Sequence, residues 1–104
     1  MLTKKESYNV AVVGATGIVG ESLLEILYSR RFPISSIHAV ASKKSKGSKA
    51  KFGDQLLTVE SLDEFNFTDI DIAFFSAGSS VSKEYATKAT TQGCIVIDNT
   101  SEFR

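Results

Sequence analysis

The stretch Val10-Ala-Val-Val-Gly14-Ala-Thr-Gly17-Ile-Val-Gly20 decides how the rest of the chain is read. It begins inside Tyr8–Val13, a short, β-branched and nearly all-apolar run of the kind buried in a parallel sheet. That run passes directly into three glycines spaced three apart. Beyond them Val19, Leu23, Ile26 and Leu27 fall at i, i+4, i+7 and i+8, one stripe of a helix over about residues 18–30. Gly14 can adopt the backbone angles of a sharp strand-to-helix turn. Gly17 carries no side chain to keep a ligand off the backbone, and Gly20 lets helix and strand pack closely. The first free N–H groups of the helix, with its dipole, then suit an anion such as the pyrophosphate of a dinucleotide. The spacing reads G-x-x-G-x-x-G, one residue longer than the tighter G-x-G-x-x-G, so its place between strand and helix is what gives it meaning.

Outward from this turn the pattern alternates. Arg30, Arg31 and Pro33 end the helix, with cations where its dipole favours them. Ile37–Ala41 reads as a second strand, Lys43–Lys51 as a polar loop, Gln55–Val59 as a short third strand and Leu62–Phe67 as a turn or short helix. Asp71–Phe75 is another apolar strand. Val81, Tyr85 and Ala89 mark a helix ending before Gly93, and Ile95–Asp98 is the last strand. Strands alternating with helices predict an α/β fold of the Rossmann-like, doubly wound kind: a mainly parallel sheet with helices on both faces.

The chain has 104 residues with twelve basic and twelve acidic side chains, a formal net charge of zero. One dinucleotide-binding domain over residues 1–104 is therefore expected, with no global field drawing it to nucleic acid or membrane. No apolar run nears the ~20 residues of a membrane span. A single cysteine forms no internal disulfide, which fits a reducing cytoplasm.

The second strand ends about 20 residues after the glycine turn, where an NAD-specific site usually places an acid for the ribose 2′-hydroxyl. No acid stands between Glu25 and Asp54; Ser42, Lys43, Lys44, Ser45 and Lys46 are found instead. Lysines and hydroxyls attract a 2′-phosphate, which predicts NADP, although most of these lysines are also read as a solvated loop. The exit of the third apolar strand, Ser76-Ala77-Gly78, is small enough to leave room for the ribose and nicotinamide, and Ser79 or Ser80 is placed to cap the following helix. The polar run Asp98 to Arg104 leaves its strand on the same edge. Pattern alone reads Arg104 as solvated, against a bidentate anion clamp. Cys94 is read as a structural residue and His38 as a structural or surface one.

Several of these segments together resemble the aspartate-semialdehyde dehydrogenases. Gly14-Ala-Thr-Gly-Ile-Val-Gly20 resembles that family's cofactor turn, which adds Ala15, Thr16, Ile18 and Val19 to the expected contacts. Ala41-Ser42-Lys43-Lys44-Ser45 is similar to its 2′-phosphate segment, with Lys44 where Arg is more usual. Ala73 to Ala86 is a long match that departs at Ser79, commonly Gly. Ile97-Asp-Asn-Thr-Ser-Glu-Phe-Arg104 resembles its arginine segment, with Thr100 and Glu102 as departures. The resemblance implies reversible, NADP-dependent reductive dephosphorylation of aspartyl phosphate to the semialdehyde, in lysine, threonine and methionine biosynthesis. It places Arg104, with Asn99, at the phosphate of a small-molecule substrate, which reverses the pattern-only reading of Arg104. It also implies a homo-oligomer in the full-length form.

The family's cysteine nucleophile lies downstream of the arginine segment in an Asn-Cys motif with no counterpart here, and Cys94 does not match it. The proton-handling histidine and second domain lack counterparts as well. The expectation is thus the cofactor-binding N-terminal part of such an enzyme, with no catalytic residue and no metal ligand of its own, inactive alone. Acetylglutamyl-phosphate reductase-like chemistry and a non-catalytic NADP-sensing module are the alternatives.

Overall fold

The computed structural model describes residues 6–76 and 79–98, side chains included except at 79–84 and 98. Its elements run β1 (Tyr8–Val13), α1 (Ile18–Ser29), β2 (Ile34–Ala41), β3 (Lys49–Phe52), β4 (Gln55–Thr58), β5 (Glu60–Ser61), β6 (Ile72–Phe75), α2 (Ser79–Thr91) and β7 (Ile95–Asp98). Five strands form one sheet in the order β5-β2-β1-β6-β7, and each neighbouring pair is parallel. The doubly wound parallel sheet expected from the sequence is therefore present. From β1 the chain steps outward to β2 on one side and later to β6 on the other, so the strand order reverses at β1. In open sheets that reversal opens a crevice at the carboxyl ends of the strands, where ligands bind.

β1 explains why the stretch reads as fully buried. Val10, Ala11, Val12 and Val13 are all 0% exposed, and successive side chains serve opposite faces. Val10 and Val12 pack with Leu24 and Leu27 of α1, whereas Ala11 and Val13 pack with Ala73, Phe75 and Ala89 of the α2 side. The two helices thus cover opposite faces of the sheet. On the α2 side the irregular segment after β5 supplies Leu62, Phe65, Phe67 and Ile70 to the core. Phe67 lies edge-on to Phe65 at 5.0 Å and near-parallel to Phe75 at 6.0 Å. Its N–H donates to Gln92 Oε1 at the end of α2, at 2.9 Å, which ties that segment to the helix.

Four details differ from the sequence reading. β2 begins at Ile34, because Ser36 donates to Asn9 Oδ1 and continues the pairing that apolar pattern alone did not signal. The segment Lys43–Lys51 contains a short 3-10 turn at Lys43–Ser45 and the start of β3. Gln55–Thr58 does not join the main sheet; it pairs antiparallel with β3 in a separate hairpin that lies on α1. The strand that extends the sheet beyond β2 is the two-residue β5. Within Leu62–Phe67 the expected turn is present, at Leu62, Asp63 and Glu64. No helix among the described residues is long and apolar enough to cross a membrane.

Candidate functional site

The carboxyl ends of β1, β2 and β6 are brought level by the pairings Val13 with Val40 and Val13 with Phe75. Gly14 leaves β1 with φ +89°, a left-handed angle that glycine adopts without strain. The N–H groups of Gly14 and Ala15 both donate to the Val40 carbonyl, at 2.7 and 3.1 Å, and fasten the turn to the end of β2. Ala15 is fully buried and anchors the turn from within. Thr16 and Gly17 face outward, as do Ile18, 85% exposed, and Val19, 48% exposed.

The two later glycines serve different ends. A Cβ on Gly20 would stand 2.1 Å from the Gly14 oxygen and 2.8 Å from Ala15 Cα, so only glycine lets α1 sit this close to the turn. A Cβ on Gly17 would meet only the Gly14 oxygen within 4 Å, at an ordinary 3.5 Å, and its φ is −86°. No clash in the described fold demands glycine there. Gly17 is also the N-cap of α1 and brings no side-chain hydrogen bond to it. The first helical donor to find an acceptor is Glu21, at 2.9 Å from the Gly17 oxygen. The N–H groups of Ile18, Val19 and Gly20 have no acceptor among the described residues, which is the anion-binding end of a helix.

Ser76 closes the turn from the β6 side. Its N–H donates to the Val13 carbonyl at 2.8 Å, and its hydroxyl points to the carbonyls of Val13 at 2.9 Å and Gly14 at 3.3 Å. The hydroxyl therefore braces β6 against the glycine turn. Ala77, Gly78, Asn99 and Arg104, expected at the site, lie outside the described residues.

Between the ends of β1 and β2 lies a cleft of about 280 Å³, lined by Val13, Gly14, Ala41, Ser42, Lys43, Leu62, Asp63 and Tyr85. Ser42 opens the 3-10 turn and its carbonyl accepts from Ser45 at 2.9 Å. Lys44, at the middle of that turn, is exposed and makes no ion pair among the described residues. Its neighbours are partly committed: Lys46 pairs with Glu64 at 2.7 Å, and Lys49 donates to Thr58 at 2.7 Å. A larger hollow, about 720 Å³, opens beside α1 against the β3–β4 hairpin. It touches the glycine turn only at Ala15 and Thr16, whereas the smaller cleft is bounded by the ends of both β1 and β2, where the topology marks a ligand.

Asp63 is the residue that sequence reasoning missed. The nearest acid by sequence after β2 is Asp54, in the hairpin, but the fold returns the chain to the β2 end twenty-one residues past Ser42. The Ser61 hydroxyl donates to the Asp63 carboxylate, which holds it below the usual carboxylate range, with Lys43 and Lys46 adding smaller favourable contributions.

Cys94 and His38 take structural places, as expected. Cys94 is 4% exposed, and burial, with the nearby Asp71 charge, pushes its thiol up to about 11. A protonated, buried thiol is not a nucleophile. His38 lies within β2, its Nδ1 2.9 Å from Glu60 Oε2 and its ring edge-on to Phe65 at 5.5 Å. It ties β2 to β5. No metal-ligating cluster occurs among the described residues.

A parallel sheet that reverses at β1, with a glycine turn and an open helix end at the reversal, defines a dinucleotide-binding domain of the Rossmann class. The chain belongs to the semialdehyde dehydrogenases: residues 9–104 match the family described as "Semialdehyde dehydrogenase, NAD binding domain". It is 58% identical over 103 residues to the aspartate-semialdehyde dehydrogenase of Rickettsia typhi, covering 99% of this chain and 30% of that protein. It is 56% identical over 96 residues to the Legionella pneumophila enzyme of the same name, covering 92% of this chain and 28% of that one. The solved structure of aspartate semialdehyde dehydrogenase II complexed with ASA from Vibrio cholerae superposes with a TM-score of 0.87 at 42% identity, covering 91% of this chain and 31% of that one. The chain thus spans about 30% of the length of the relatives it matches.

Proposed function

We propose that this chain is the NADP-binding part of an aspartate-semialdehyde dehydrogenase, serving the interconversion of aspartyl phosphate and aspartate semialdehyde in lysine, threonine and methionine biosynthesis. The observation that carries the reading is Gly17: the fold leaves room for a side chain there, yet the sequence keeps the backbone bare beside unpaired N–H groups. The residues fit the group. Gly14, Ala15, Thr16, Gly17, Ile18 and Val19 form the pyrophosphate turn, with the amides of Ile18 and Val19 toward the anion. Ser42, Lys44 and Ser45 receive the 2′-phosphate, Lys44 as a point charge without the planar fork of arginine. Ser76, Ala77 and Gly78 form the wall toward the nicotinamide. Asn99 and Arg104 hold the substrate phosphate.

Bound there, NADP supplies hydride transfer. These residues bind and orient it; they supply no activated nucleophile, since the Cys94 thiol is buried and held protonated. The 104 residues alone are therefore inactive, and the complete enzyme acts in the cytoplasm as a homo-oligomer on its small-molecule substrate. Calorimetric titration of the chain with NADP and NAD, at low and moderate salt, tests the cofactor reading. A tenfold preference for NADP, about 1.4 kcal/mol, that shrinks as salt rises supports it. Equal affinity for both, unmoved by salt, removes the 2′-phosphate role of the Ser42–Ser45 loop.

A further inference from the structure

We propose that Asp63 tunes cofactor preference in this site: it lines the cleft at the end of β2 together with Ser42 and Lys43, where its carboxylate opposes a 2′-phosphate and leaves a cofactor with a plain ribose hydroxyl unopposed. The inference rests on the NADP reading above and adds a residue to it. Three observations carry it. Asp63 lines the same small cleft as Gly14, Ser42 and Lys43, so it shares the space between the glycine turn and the basic loop. Its side chain is held in place by Ser61, which is itself 2% exposed in β5 and whose hydroxyl donates to the Asp63 carboxylate. The basic loop is also partly neutralised from the same segment: Lys46 is paired with Glu64, and Lys43 lies within the field of Asp63. Of the loop's first three lysines only Lys44 stays clear of these acids.

The electrostatics set the sign. A phosphorylated ribose brings nearly two negative charges into a cleft that already holds one, whereas a free hydroxyl can donate to a carboxylate. Asp63 therefore weakens one cofactor and spares or favours the other. Ser61 stays satisfied in either case, because an asparagine at the same position accepts the same hydrogen bond. Asp63 is a specificity-determining residue at the edge of the site.

The test is a set of paired titrations with NADP and with NAD on the wild-type chain, Asp63→Asn and Asp63→Glu, with circular dichroism as the check on folding. For charges separated by several ångströms at a wet surface, the expected gain in NADP affinity for Asp63→Asn is about three- to tenfold, with NAD unchanged or weakened. The gain grows as salt is lowered, and Asp63→Glu stays near the wild-type ratio. An Asp63→Asn chain that binds NADP no better, or both cofactors equally better, overturns the proposal while leaving the NADP site standing. A wild-type chain that takes up neither cofactor overturns the site itself, and the role of Asp63 with it.

Discussion

Gly20→Ala puts one methyl group directly against backbone that has no room for it. Its Cβ would lie 2.1 Å from the Gly14 oxygen and 2.8 Å from both Gly14 C and Ala15 Cα, all backbone atoms. No rotamer change relieves that overlap. Gly14 and Ala15 cannot retreat freely, because both amides are fixed to the Val40 carbonyl. α1 must therefore move outward, loosening Leu24 and Leu27 from Val10 and Val12. Overpacking of this kind costs about 1–3 kcal/mol, occasionally more, and the backbone partners place this case at the upper end. Replacing a helical glycine by alanine returns about 1 kcal/mol. The net loss is about 2 kcal/mol, which for a domain of this size lowers the melting temperature by roughly 10 °C. Thermal unfolding followed by circular dichroism reads it directly. Gly17→Ala is the internal control: its Cβ meets one atom at 3.5 Å and its φ is −86°, so it loses only glycine's advantage over alanine at an N-cap, less than about 1 kcal/mol, and melts within about 5 °C of the wild type. If Gly20→Ala melts with the wild type, α1 is not pressed onto the turn and the argument for the third glycine is wrong.

Three further outcomes are expected. Lys44→Ala lowers NADP affinity about tenfold at low salt, about 1.4 kcal/mol, and leaves NAD binding unchanged; an equal loss for both cofactors in paired titrations would place Lys44 elsewhere. Gln92→Leu leaves the buried Phe67 N–H without its acceptor, costing about 1–3 kcal/mol, and a denaturant midpoint equal to the wild type would contradict it. Cys94 reacts with a thiol reagent about a hundredfold more slowly at pH 8 in the native chain than in denaturant. The sign follows from its raised value: the thiolate fraction is small below pH 9 and climbs about tenfold per pH unit towards about 11. A native rate matching the denatured one would place the thiol at the surface.

What the sequence disclosed divides along physical lines. The glycine turn, α1, β6 and β7 were legible because each signal is local: an apolar run, a helical stripe, a turn that glycine alone permits. The β3–β4 hairpin was not, although Lys49, Ala50, Lys51 and Phe52 alternate outward and inward as a strand should. Lysine density made the segment read as a solvated loop, and four-residue strands do not announce their partners. The two-residue β5 is too short to carry any period, so the sheet's outer edge was misplaced by a few residues. Asp63 and Tyr85 were invisible as cleft residues for another reason. They reach the end of β2 from distant positions through packing of Leu62, Phe65 and Ala89, which no spacing rule encodes. Ser76 reads in the sequence only as a small residue that leaves room for the cofactor; the bond of its hydroxyl to the Val13 carbonyl depends on the pairing of β6 with β1.

The central claim, that the bare backbone at Gly17 exists to receive a dinucleotide, is tested most directly by calorimetric titration of the wild-type and Gly17→Ala chains with NADP under one set of conditions. The account predicts binding by the wild type and a loss of at least about tenfold in Gly17→Ala, with the melting temperature of the free protein lowered by no more than about 5 °C. Equal affinity in the two chains would mean that the glycine turn is a feature of the fold alone.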